Sequence, residues 1–121
     1  MSTAAQAYAR TAQASAPARE IEAHALLRAA MQLQEVQSNW GGPDDRLQTA
    51  LLFNRRLWSL FMSAAQNDAN PQPIAIREQI ANIGIFVMKQ TVDMQLMPEP
   101  GKLKSLIEIN RNIAAGLLGR A

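Results

Sequence analysis

Few side chains in this sequence have the types and spacing that chemistry needs. His24 is the only histidine, and its nearest carboxylates, Glu20 and Glu22, lie on a polar stretch. A metal site needs several converging ligands, and no His/Glu spacing supplies them. Ser59, Ser63 and Ser105 fall inside predicted helices with no base nearby. No Gly-rich phosphate loop, HExxH or nucleophile elbow is present. The chain has no Cys, which excludes disulfides, thiol catalysis and cysteine-ligated metals. No enzyme activity, cofactor or metal site is expected from these residues.

What stands out instead is a repeated polar element, Asn54-Arg55-Arg56-Leu57-Trp58 and Asn110-Arg111-Asn112-Ile113. Each Asn sits in an apolar helix stripe. The first stripe is Leu47, Leu51, Asn54, Trp58, Phe61, Ala65, and the second is Leu103, Ile107, Asn110, Ala114, Leu117. A polar group on such a face is costly unless it is hydrogen-bonded. Two roles fit. The Asn side chains satisfy a buried group, or each other, and fix helix register. Alternatively, with the adjacent Arg residues they shape a groove for a partner. Arg55 and Arg56 beside Trp58 also resemble a phosphate-and-base contact. Against that, Trp58 shares the register of Leu51 and Phe61, and consecutive residues on a helix diverge by about 100°.

The elements that must position these residues are helical. The 121 residues make one domain of modest core, rich in Ala, Leu, Ile, Gln and Arg and poor in β-branched and aromatic residues. A short first helix is predicted over about Thr3 to Ala14, opened by a Thr3–Gln6 capping box. Four main helices follow, at about Pro17–Asn39, Pro43–Gln66, Pro73–Leu96 and Gly101–Leu118. Gly41-Gly42, the loop Asn67–Pro73 and Met97–Gly101 separate them, with Asn70 expected as a cap and Gly119 as a C-cap. Short connections make an all-α bundle of largely antiparallel helices. Residues 17–121 form the bundle. Residues 1–16 carry only Tyr8 as a large apolar residue and are expected to be mobile in the free protein, or docked against a partner or a neighbouring molecule.

The third main helix, Pro73–Leu96, carries a surplus of apolar residues. Its stripe is Ile76, Ile80, Ile83, Val87, Thr91, Met94, and Ile85, Phe86, Met88 and Met97 extend past it. Met62 adds to this set. Methionine-rich surfaces suit adaptable apolar partners, whereas the plainer reading is core packing. The net charge of +2 comes from scattered residues, with no dense basic run, so nucleic acid is not an expected partner. The N-terminus shows no secretory signal pattern. The longest strongly apolar run, Ile83–Met88, is far short of the ~20 residues that cross a bilayer, so no membrane insertion is expected.

Several segments together resemble a known family. They are Tyr8, then Pro17-Ala18-Arg19-Glu20-Ile21-Glu22-Ala23, then Phe53-Asn54-Arg55-Arg56-Leu57-Trp58-Ser59, then Leu106-Ile107-Glu108-Ile109-Asn110-Arg111-Asn112-Ile113-Ala114-Ala115-Gly116-Leu117. This pattern resembles the alphaproteobacterial flagellar biosynthesis regulator family FlaF from Tyr8 to Leu118. The resemblance implies a small non-enzymatic cytoplasmic protein that binds flagellin before export, as a secretion chaperone does. It also implies a functional link to the translational regulator FlbT. The alternative is a post-transcriptional regulator that contacts RNA or an RNA-binding partner. The residues expected to serve a partner are Tyr8, Asn54, Arg55, Trp58, Met88, Met94, Asn110 and Arg111.

Overall fold

A computed structural model describes the backbone of residues 4–120 and the side chains of residues 17–120. The capping box at Thr3, the Tyr8 side chain and the conditional ordering of residues 1–16 lie outside the described residues. Four α-helices form among the described residues: α1 (Ala4–Ser38), α2 (Asp45–Gln66), α3 (Ile74–Leu96) and α4 (Leu103–Leu117). A 3₁₀ turn, Pro100–Lys102, leads into α4. No strand occurs among the described residues, and the helices pack as the expected all-α bundle.

One departure lies at the start of the chain. The sequence predicts a break before Pro17, yet α1 runs through it as one helix of 35 residues. Proline removes a backbone donor and crowds the carbonyl one turn earlier, at a cost of about 3 kcal/mol. The residues from Ala4 to Ala30 are mostly Ala, Gln, Arg, Glu and Leu, strong helix formers, with no Gly among them. Their summed propensity carries the helix across one missing bond.

The helix ends follow local chemistry. Asp44 Oδ1 accepts from the Leu47 backbone N–H at 3.1 Å and caps α2. That bond, with help from the Arg46 side chain, holds the Asp44 carboxyl below its ordinary range. At the far end of α4, Gly119 takes φ +71°. The Arg120 N–H then reaches the Ala115 carbonyl at 2.7 Å, which is a Schellman closure. Asn70 does not cap α3. Its Nδ2 donates to the Ala64 carbonyl at 2.9 Å, so it closes the end of α2, and α3 begins after Pro73 with no side-chain cap.

Neighbouring helices run antiparallel. Arg46 donates to the Asn39 carbonyl at 3.3 Å while Arg28 lies over the Phe53 ring, so α2 returns along α1. Arg77 Nε donates to the Ala65 carbonyl at 2.7 Å while Gly84 abuts Met62, so α3 returns along α2. Lys102 Nζ bridges the Asp93 carboxylate at 2.9 Å and the Met97 carbonyl at 2.8 Å, which pins the turn between α3 and α4. Gln37 Nε2 donates to the Pro100 carbonyl at 2.9 Å and ties the end of α1 to the same turn. α4 packs mainly on α1, and α3 mainly on α2. The core is drawn from all four helices, with Leu26, Leu33, Leu47, Leu51, Trp58, Val87, Met94, Leu103 and Leu106 fully buried. Each such large side chain contributes about 1.5–3 kcal/mol of burial free energy.

Candidate functional site

The two Asn residues meet. Trp58 Nε1–H donates to Asn110 Oδ1 at 2.9 Å, and Asn110 Nδ2 donates to Asn54 Oδ1 at 2.6 Å. All three side chains have 0% exposure. An indole N–H can only donate, so it fixes which end of the Asn110 amide it faces. That choice turns Asn110 Nδ2 toward Asn54, which must answer with its oxygen. The polar chain therefore has one direction, and Asn54 Nδ2 is left buried with no hydrogen-bond partner among the described residues. The triad joins α2 to α4 across the core. Trp58 is also held edge-on by Phe61, with ring centroids 5.6 Å apart.

Burial sorts the residues singled out from the sequence. Asn54, Trp58, Met94 and Asn110 are fully buried, Met88 is half-buried, and Arg55 and Arg111 are exposed. A fully buried side chain touches no partner, so those four act by setting how α2, α3 and α4 pack. Trp58 cannot stack on a base from inside the core, which removes the aromatic half of the nucleic-acid pattern beside Arg55 and Arg56. Arg111 lines a shallow hollow on the α1–α4 side with Leu27, Met31 and Gln34. His24 is exposed on α1. Among the described residues no three His, Cys, Asp or Glu side chains converge as a metal site would require. Among them, too, no helix is long and apolar enough to cross a membrane.

The feature most suited to a partner is the outer side of α3. Gly84, Val87, Thr91 and Met94 point inward, where the Thr91 hydroxyl is satisfied by the Val87 carbonyl at 2.7 Å. About 110° around the helix, at 100° per residue, lies a second stripe of Ile74, Ala81, Ile85, Met88 and Val92. Ile85 is 47% exposed, Val92 52% and Leu96 75%, and Met97 continues the apolar surface past the helix end. Ala81 and Met88 are half-buried, Met88 against the core, while Ile74, Ile85, Val92 and Leu96 stand exposed. Lone exposed apolar residues are ordinary, but a contiguous row of them marks an interaction surface.

The sequence profile of the family described as flagellar protein FlaF matches residues 4–117. The chain belongs to the FlaF family. It is thus a flagellum-related protein with an all-α fold. No curated protein and no solved structure matches the chain. Both Asn-Arg elements lie inside the matched FlaF region, and the structure places their Asn residues in contact.

Two features of this FlaF chain were not anticipated from its sequence. Trp58 proved to be the third member of the Asn pair, though its indole N–H, a donor that burial would strand, was the available signal. Gly84 marks the close approach of α3 to Met62, and a lone Gly inside an apolar helix was the clue.

Proposed function

We propose that this chain is a non-enzymatic flagellar assembly factor that binds flagellin in the cytoplasm as a secretion chaperone. By holding flagellin it also influences flagellin synthesis, which is where the link to FlbT belongs. The observation that carries this reading is the uncovered apolar side of α3, with Ile85, Val92 and Leu96 each about half exposed or more. An amphipathic helix of a client can lay its apolar face on such a row, and the client is shielded until export. The family membership supplies the flagellar setting.

Co-purification from a flagellated cell, followed by mass spectrometry, tests the proposal. Flagellin is expected as the main co-purifying protein, and the complex should persist when salt rises. Apolar contacts tolerate salt, whereas phosphate contacts lose about 10³-fold or more over a modest rise in it. Recovery of RNA without flagellin, in a salt-sensitive complex, would contradict the proposal and favour an RNA-directed regulator using exposed Arg55, Arg56 and Arg111.

A further inference from the structure

We propose that the outer stripe of α3 pairs with the same stripe on a second copy of this chain, antiparallel, to form a weak homodimer. The argument is the order of residues along the stripe. Ile74, Glu78, Ala81, Ile85, Met88 and Val92 are spaced by alternating steps of four and three, the 3.5-residue period of a helix-pairing seam. The spacing reads the same in both directions about residue 83. A second α3 laid antiparallel therefore sets Ile74 against Val92 of the second copy, and Ala81 against its Ile85. Each contact occurs twice, as two-fold symmetry requires. The pairing places the small Ala81 opposite the larger Ile85.

Charge follows the same symmetry. Glu78, the one charged member of the seam, and Lys89 at its edge are both exposed. They lie about 16 Å apart along α3, too far to pair within one copy. Neither takes part in an ion pair among the described residues. In the antiparallel dimer Glu78 comes beside Met88 and Lys89 of the second copy, and the reverse contact forms at the other end. One helix pair is a small interface, so the dimer exchanges readily with monomer. The dimer stands on this pattern whether or not flagellin is the client. Flagellin as proposed above takes the same face, so dimer and client exclude one another.

Sedimentation equilibrium of the full chain without flagellin, from about 10 µM to about 1 mM, is the test. The mass should rise from 13.3 kDa toward twice that value. Ile85→Lys should stay at the monomer mass throughout while its far-UV circular dichroism remains that of the parent. Glu78→Lys should weaken association about tenfold, by putting like charges together twice, and adding Lys89→Glu should restore it. A parent chain that stays monomeric at the highest concentration overturns the proposal and leaves the stripe to a different protein. A dimer indifferent to Ile85→Lys overturns it too. So does a double variant that associates no better than Glu78→Lys.

Discussion

At the scale of single residues, the direction of the Trp58–Asn110–Asn54 chain makes the two Asn residues unequal. Asn110 uses both ends of its amide, and Asn54 uses one. Asn110→Ala strands the indole N–H and the Asn54 oxygen together, so it should cost about 2–4 kcal/mol of unfolding free energy. Asn54→Ala strands one donor but also removes an unsatisfied one, and should cost about 1 kcal/mol. Urea denaturation of both variants checks the ranking, and equal losses would mean that the chain of bonds does not run as described. The embedded Asn residues were legible in the sequence because they interrupt a regular stripe. Their mutual contact was not, because a stripe fixes which face a residue lies on but not which residue faces it from another helix. Glu22 offers a second test. Burial raises its carboxyl above the usual range, since the charged form loses hydration. The folded chain therefore holds that proton to higher pH than the unfolded chain, and the penalty appears as pH rises through the folded value. Glu22→Gln should raise the melting temperature at neutral pH, and the gain should vanish below about pH 4, where the carboxyl is protonated in both states.

At the scale of elements, the α2–α3 contact depends on the absence of a side chain. A Cβ on Gly84 would run into the Cγ and Sδ atoms of Met62, so the methionine must shift along most of its length to make room. Gly84→Ala should therefore destabilise by about 1–3 kcal/mol, although Ala favours a helix over Gly by about 1 kcal/mol. Trimming the neighbour in the Met62→Ala, Gly84→Ala double variant should recover part of the loss. Thermal melts of the single and double variants measure this coupling, and strict additivity would contradict the contact. Helix existence was readable from period and punctuation: Gly41-Gly42, Pro71-Gln72-Pro73 and Pro98-Glu99-Pro100-Gly101 all separate helices as expected. Pro17 was misread, because proline suits a helix start as well as it disturbs an interior, and only the surrounding propensity decides between them. Asn70 was misread for a related reason, since one side chain can serve the helix before it or the helix after it.

At the scale of the molecule, fold and family were both legible in the sequence, and the apolar surplus of α3 was legible in part. The excess of apolar residues on α3 was visible, but which of them fill the core depends on where α2 lies. The bundle resolves this by turning Val87 and Met94 inward and leaving Ile85, Val92 and Leu96 outside. That division is the basis of the central claim, that a flagellum-related helical bundle holds flagellin on the outer side of α3. Isothermal titration of purified flagellin into the full chain and into Val92→Lys tests it most directly. The parent chain should bind with a negative heat-capacity change and little dependence on salt, and Val92→Lys should bind at least about tenfold more weakly. No binding by the parent chain, or equal binding by a folded Val92→Lys, would contradict it.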